Sequence, residues 1–245
     1  MPTIDIIAKH LIALFLIVAV PIWDHFEMKR LKASTDPRVK IRSYKRTIVW
    51  LWVFSLLGCI VFGWRALLTI HREAGEASWL LGSGFVIGFT GAAVIALFVP
   101  IIVMMRSETS RARVTKSLER LNFILPGTAE ERHWFVLVAI TAGVCEEILY
   151  RGFLIQYFRG LPVHVGMTEA LVLSACVFGV AHLYQGIIGI VQTAILGALF
   201  AVLFLATGSL VLPMILHAAI DLRILLILRE KSGSLNTSGS DVSVT

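Results

Sequence analysis

The strongest constraint on the fold of this chain is a succession of long apolar runs separated by short polar segments. The runs lie at residues 4–23, 47–70, 79–105, 133–157, 168–184, 187–206 and 209–228. Most of them reach the ~20 residues that an α-helix needs to cross a bilayer. Because hydrocarbon offers no partner to an unpaired backbone N–H or C=O, each run that crosses must be helical. The sequence therefore predicts an all-α integral membrane protein, a single bundle of about seven (six to eight) transmembrane helices.

Composition agrees with a membrane protein and argues against nucleic acid as a partner. Of the 245 residues, 57% are hydrophobic and 16% are charged, and the mean hydropathy of +0.84 is higher than that of an ordinary soluble domain. The net charge of +6 comes from basic residues between the apolar runs, where such residues mark cytoplasmic loops and contact with anionic lipid. The three cysteines, Cys59, Cys145 and Cys176, lie within apolar runs and are interpreted as packing residues.

Loop charge predicts the orientation and the division of the chain. Basic residues are concentrated between the first two runs and within 106–132, so both loops should be cytoplasmic. With seven spans the N-terminus is then outside and the C-terminus cytoplasmic, in the cell (plasma) membrane. Part of 106–132 is expected to form an amphipathic interfacial helix. We expect N-terminal helices and basic loops over 1–130, a C-terminal helical core over 131–229 and a disordered tail over 230–245.

Ionisable residues inside the last four runs are few, and each needs an explanation. Placing such a residue within a membrane span costs about 2.5–3.5 kcal/mol on insertion scales. The residues concerned are Glu146, Glu147, Arg151, His182, His217, Asp221 and Arg223. In the first three runs the ionisable residues lie towards the ends of the runs, at Asp5, Lys9, His10 and Arg65. Any catalytic groups are therefore expected on the last four helices.

Helical spacing divides these residues into pairs. Glu147 and Arg151 are four residues apart and share a helix face, which predicts an ion pair. Glu146 is rotated by about 100° from Glu147 around the helix axis, so it does not share the face of the ion pair. It therefore remains as the candidate catalytic carboxylate. From this motif alone, the alternative is that all three charges only hold the bundle together. His217 and Asp221 also share a face and could bind a common atom.

Three motifs in this order resemble a known family. Glu146-Glu147-xxx-Arg151, Phe178-xxx-His182 and His217-xxx-Asp221 follow one another on successive hydrophobic segments. This arrangement resembles the CPBP family, the CAAX proteases and bacteriocin-processing proteins that are also called the Abi family. The resemblance covers about residues 130–228. It implies an intramembrane endopeptidase of the type II CAAX prenyl endopeptidase kind.

The resemblance also implies a role for each motif residue. Glu146 would activate the attacking water with assistance from His182, and His217 and Asp221 would stabilise the tetrahedral oxyanion. Glu147 and Arg151 would support the site. Many family members have Asn where this chain has Asp221, and a carboxyl group can donate to an oxyanion only when it is protonated. Otherwise Asp221 would orient His217 or hold a metal.

Two further questions stay open at the level of sequence. The four catalytic candidates Glu146, His182, His217 and Asp221 carry nitrogen and oxygen ligands of the kind that zinc binds, so zinc-dependent hydrolysis is an alternative to a glutamate-activated water that needs no cofactor. In other classes, the same residues could form the proton or ion relay of a transporter or belong to a non-catalytic scaffold. For a protease, the expected partners are the lipid bilayer and a membrane protein or lipidated peptide, prenylated or of the bacteriocin type.

Overall fold

Helices account for nearly all of the chain that the computed structural model describes, namely residues 2–70 and 121–237 with isolated positions between 84 and 119. Within these residues the only β-type pairing is a single bridge between Thr69 and Ser209. By length and composition, four helical segments could cross a membrane, and Met167–Ala181 is a shorter apolar helix. The four are Ile4–Ala33, Val39–Phe62, Ala129–Arg159 and Leu183–Thr207. The prediction of an all-α membrane protein is confirmed.

The N-terminal part begins with one long helical segment. It consists of α1 (Pro2–Leu14), a π-helical turn (Phe15–Ala19) and α2 (Val20–Ala33), and it is followed by α3 (Val39–Phe62) and α4 (Trp64–Leu68). The predicted end at residue 23 was wrong. The helix continues because α2 has an inward face with buried Pro21, Glu27 and Leu31, and Arg46 of α3 forms an ion pair with Glu27.

The second predicted span, 47–70, is displaced in the structure. Helix α3 already begins at Val39, where Val39, Ile41 and Tyr44 are buried, so the basic segment before residue 47 is helical. The helix ends at Gly63, whose φ of 86° lies in a region that side-chain-bearing residues avoid. The short helix α4 then takes the place of the predicted final turns of this span.

The C-terminal part contains the remaining elements. They are α5 (Ala129–Glu146), a π-helical segment (Glu147–Leu154), α6 (Ile155–Arg159), α7 (Met167–Ala181), a 3₁₀ turn (Leu183–Gln185), α8 (Gly186–Thr207) and α9 (Val211–Thr237). Helix α5 starts at a capping box, in which the Glu131 backbone N–H donates to Thr128 Oγ1 at 3.1 Å and the Thr128 N–H donates to Glu131 Oε2 at 3.3 Å. Helix α8 ends at Gly208, which has left-handed φ.

One predicted boundary differs in this part as well. Helix α9 continues to Thr237, whereas the tail was expected from residue 230, so helical structure passes into the segment predicted to be disordered. Residues 238–245 lie outside the described chain, as do most of the predicted third span and most of the predicted interfacial helix. Residues 121–124, at the end of that loop, form turns.

Packing is densest around the π-helical segment Glu147–Leu154, because all eight of its residues are buried. Helix α5 packs against α3 on one side and α9 on the other, and α7 packs against α8. A Cβ atom at Gly143 would lie 2.7 Å from the backbone nitrogen of Ala218, and one at Gly152 would lie 2.6 Å from the carbonyl oxygen of Leu67. The two glycines therefore permit close backbone approach, and the contact at Gly143 brings α9 against the helix that carries the paired glutamates.

Candidate active site

The paired glutamates lie where the fourth predicted span changes from α- to π-helix. Glu146 is the last residue of α5, and Glu147 begins the π-helical segment. Such segments are rare and frequently occur at functional sites. Two serines from neighbouring helices bind backbone carbonyls here: Ser55 Oγ donates to the carbonyl of Cys145 at 3.3 Å, and Ser174 Oγ donates to that of Tyr150 at 2.5 Å. Hydroxyl groups of this kind satisfy backbone that the irregular helix leaves free.

Glu147 and Arg151 form the predicted ion pair, with 3.0 Å between Oε1 and Nη1. Both side chains are almost completely buried, at 0% and 1% exposure. The same oxygen of Glu147 lies 2.8 Å from Nδ1 of His217. The contact with His217 was not predicted, and it joins the first motif directly to the third.

His217 has a different environment on each side of its ring. Its Nδ1 faces buried Glu147, whereas its Nε2 lies 3.8 Å from Glu146 Oε2 and 3.8 Å from Asp221 Oδ2. Both 3.8 Å separations are longer than a hydrogen bond. Exposure rises in the same direction, from 0% for Glu147 to 18% for Glu146 and 37% for Asp221. The Nε2 side is therefore the accessible side of the site.

His182 enters the site at the end of α7. Its Nδ1 lies 2.9 Å from the carbonyl oxygen of Phe178. Because a carbonyl only accepts hydrogen bonds, Nδ1 carries the proton, and in the neutral ring Nε2 is the unprotonated nitrogen. The Phe178 ring lies edge-to-face with His182, with centroids 4.8 Å apart, and edge-to-face with His217 at 5.9 Å. Phe178 thus connects the second motif to the third.

Apolar residues around the site carry no charge by which the sequence could reveal them. Phe200 of α8 stacks on the His217 ring, with centroids 5.4 Å apart and planes at 29°. The Arg151 guanidinium lies 4.1 Å from the centroid of Phe178 and 5.6 Å from that of Phe200. Helix α8 has no ionisable residue, so a search for intramembrane charge could not find Phe200.

Asp24 was missed because the first span was expected to end before it. Asp24 lies on α2 between buried Pro21 and Leu31, on the inward face, and α2 packs against the turn that contains Tyr184. Tyr184 is within electrostatic range of Asp24, Glu146 and Asp221. The inward face of residues 21–31 carries Asp24 and Glu27 between Pro21 and Leu31, so apolar spacing gives no signal that the helix continues.

The site contains zinc-type ligands, but their described arrangement does not fit a zinc centre. Within residues 2–70 and 121–237, no group of three or more His, Cys, Asp or Glu side chains is arranged to hold a metal ion. Nδ1 of His182 faces a carbonyl and Nδ1 of His217 faces a carboxylate, so each histidine could offer only its Nε2 to a metal.

One stretch of the chain, which contains this site, is similar to a known protein family. Residues 128–223 match the family model described as type II CAAX prenyl endopeptidase Rce1-like. These residues form an Rce1-like segment. It includes all six predicted site residues, and the predicted resemblance to a CAAX-type intramembrane protease is confirmed. Searches of curated proteins and of solved structures found no match.

The extent of the match agrees with the location of the site. The Rce1-like segment begins at Thr128, the N-cap of α5, and ends at Arg223, two residues after Asp221. It therefore covers the helices that carry the three motifs, with α8 between the second and third. The family implies that the chain is a protease, which is a hydrolase of peptide bonds.

Proposed function

We propose that the Rce1-like segment is an intramembrane endopeptidase in which Glu146 activates the attacking water. The supporting observation is the two-sided environment of His217. Its Nδ1 is held by buried Glu147 at 2.8 Å, and its Nε2 faces the accessible carboxyl groups of Glu146 and Asp221. A base and an electrophile thus flank one accessible space, which is what peptide hydrolysis requires.

Glu146 is the general base in this proposal. Its carboxylate is the partly exposed member of the glutamate pair, so it can reach a water molecule that Glu147 cannot. It accepts one proton from that water while the oxygen attacks the scissile carbonyl carbon. His182 assists through Nε2, the nitrogen left free by the contact with Phe178, and the proton then passes to the leaving amine.

His217 stabilises the oxyanion. When Nδ1–H donates to Glu147, Nε2 can donate only if the imidazole is doubly protonated. Glu147, shared with Arg151, provides the negative partner that an imidazolium needs. The tetrahedral oxygen then accepts a hydrogen bond from Nε2–H, an interaction that strengthens as its charge develops.

Asp221 is the second donor and acts in its protonated form. Charge balance supports this assignment, since the negative charges of Glu146 and Glu147 are matched by those of Arg151 and protonated His217. An ionised Asp221 would give these five side chains together a net negative charge, which is costly inside the membrane. Its exposure of 37% allows it to reach the substrate.

The proposed substrate is a membrane-associated peptide or protein, prenylated or of the bacteriocin type. The description of the family supports the prenylated class for the Rce1-like segment. We further propose the cell membrane as the location, with the N-terminus outside and the C-terminus cytoplasmic, because the basic loops favour that orientation.

A direct test uses the full chain reconstituted in proteoliposomes with a farnesylated peptide that ends in a CAAX sequence. Mass spectrometry of the products should show one new peptide end in the wild type and none with Glu146→Ala or His217→Ala. Both variants should retain the melting temperature of a folded protein. Cleavage at the wild-type rate by either folded variant would overturn the proposed roles. A failure of the wild type to cleave any membrane-associated peptide would favour the transporter or scaffold.

A further inference from the structure

Phe200 of α8 contacts two residues of the proposed site. Its side chain is buried, at 1% exposure. The ring stacks on the imidazole of His217 at 5.4 Å, and the guanidinium of Arg151 lies 5.6 Å from the same ring. One phenyl ring therefore contacts both groups that bind Oε1 of Glu147.

Phe178 provides a second aromatic contact to the same two groups. Its ring lies edge-to-face with His217, with planes at 84°, and 4.1 Å from the Arg151 guanidinium. With one ring stacked on the imidazole and a second ring perpendicular to it, rotation of His217 is restricted. A phenyl face attracts a cation, so both rings favour charged Arg151, and the stacked Phe200 ring favours charged His217.

Gly197 allows α8 to approach this cluster. It lies three residues before Phe200, and a Cβ atom there would be 3.1 Å from Arg151 Nη2 and 3.0 Å from Phe178 Cδ1. Both distances are shorter than ordinary van der Waals contact, so a side chain would displace the guanidinium or the ring. The absence of a side chain at position 197 lets Phe200 pack onto the site.

We infer that Phe200 is a positioning residue, whose ring holds His217 and Arg151 so that Nε2 of His217 stays aimed between Glu146 and Asp221. The inference rests on the proposed function of His217. Loss of the ring should lower kcat with little change in KM, since Phe200 is buried away from the substrate. It should also move the alkaline limb of the activity profile to lower pH, because the imidazolium loses a favourable contact.

Phe204 provides a matched control for this inference. It lies one turn further along α8 with the same 1% exposure, and it packs in the main hydrophobic core rather than in the cluster that contains Phe200. Phe200→Met and Phe204→Met each remove one buried ring while keeping a long apolar side chain. Both variants should melt at similarly reduced temperatures.

The two variants should differ in kinetics with the farnesylated peptide. Phe200→Met should lower kcat about tenfold and shift the alkaline limb, as expected for the loss of one cation–π contact, whereas Phe204→Met should keep the wild-type kcat and profile. Equal kcat values and equal profiles in the two variants would show that Phe200 serves packing only and would overturn the inference.

A second measurement does not depend on cleavage. In NMR spectra of the full chain in nanodiscs, the Nδ1–H proton of His217 should give a downfield resonance from its bond to Glu147. Phe200→Met should weaken or remove that resonance, and Phe204→Met should leave it unchanged. Survival of the resonance in Phe200→Met would contradict the positioning role. Loss of the resonance without any cleavage by the wild type would instead count against the proposed function alone.

Discussion

Glu147 binds His217 and Arg151 through the same carboxylate oxygen, Oε1, at 2.8 Å and 3.0 Å. A buried carboxylate that accepts from a histidine Nδ1–H fixes both the tautomer and the orientation of the ring. Arg151 supplies the compensating charge that allows the carboxylate to stay ionised under burial. We therefore interpret Glu147 as the residue that positions His217, and Glu146 as the carboxylate that can contact water.

The first prediction concerns the charge of Glu147. Glu147→Gln keeps an oxygen that can accept from His217 Nδ1–H but removes the negative charge. We expect kcat to fall at least ~10-fold, because one donor to the oxyanion is weakened, and the alkaline limb of the profile to move to lower pH. Steady-state kinetics across pH with the reconstituted chain would measure both effects.

The control for this substitution is Glu130→Gln. Glu130 lies in the exposed first turn of α5, and its change to Gln should leave the kinetics within about twofold, as surface substitutions usually do. Because Arg151 would lose its buried partner, Glu147→Gln should also lower stability, by as much as about 3–5 kcal/mol. A stable Glu147→Gln variant with wild-type kinetics would disprove the positioning role.

The second prediction concerns the protonation of Asp221. Asp221→Asn replaces a carboxyl donor with an amide donor of nearly the same shape. If Asp221 donates in its protonated form, the variant should keep kcat within about threefold at neutral pH, because the amide donates without a titrating proton, and the alkaline limb that remains should be that of His217. The kcat profile between acid and alkaline pH is the measurement. A loss of about 100-fold would show that Asp221 works as an ionised carboxylate.

Sequence reasoning predicted the fold class, and it predicted local relationships between side chains where charge is exceptional. Glu147 and Arg151 were expected to pair from their spacing, and the structure shows the pair. Glu146 was expected to point away from that pair, and its carboxylate lies near Nε2 of His217 instead. These expectations agree with the structure because an ionisable side chain in an apolar helix has few partners that can neutralise its charge or bind it by hydrogen bonds.

The remaining contacts could not be predicted, for physical reasons. Whether Glu147 reaches His217 depends on the approach of α5 to α9 at Gly143 and Ala218, which is a tertiary relationship. Phe200 has no sequence signal that separates it from Phe204 on the same helix. The ends of α2 and α9 were placed too early because polar residues were taken as the limits of the spans, whereas Glu27 is buried and paired with Arg46.

The third prediction tests the approach of α5 to α9. Gly143→Ala would place a Cβ atom 2.7 Å from the backbone nitrogen of Ala218, so the helices must separate. Such overpacking costs about 1–3 kcal/mol and should lengthen the bond between Glu147 and His217, lowering both the melting temperature and kcat. Thermal unfolding in nanodiscs and peptide cleavage would be measured on the same sample.

Gly58→Ala is the control for that substitution. A Cβ atom at Gly58 of α3 would meet Leu67 and Phe153 at 3.5 Å and 3.6 Å, which is ordinary contact. Alanine there should raise stability by roughly 0.5–1 kcal/mol, because glycine is a poor helix former, and should leave kcat unchanged. If Gly143→Ala were as well tolerated as Gly58→Ala, the close approach would not control the site.

The fourth prediction concerns metal. Because every proton transfer proposed here uses protein groups, cleavage should persist after prolonged treatment with EDTA and with 1,10-phenanthroline. Elemental analysis of the active preparation should find zinc far below one atom per chain. Loss of cleavage under chelation, restored by adding zinc, would support the metallo-type alternative with Glu146, His182, His217 and Asp221 as ligands.

The most direct test of the central claim, activation of water by Glu146, is the kcat of Glu146→Gln for the farnesylated peptide in proteoliposomes. Glutamine keeps the size of the side chain and cannot take a proton from water. The predicted result is a loss of at least ~100-fold in kcat, with KM near the wild-type value and an unchanged melting temperature. A folded Glu146→Gln variant that cleaves within about twofold of the wild type would contradict the claim.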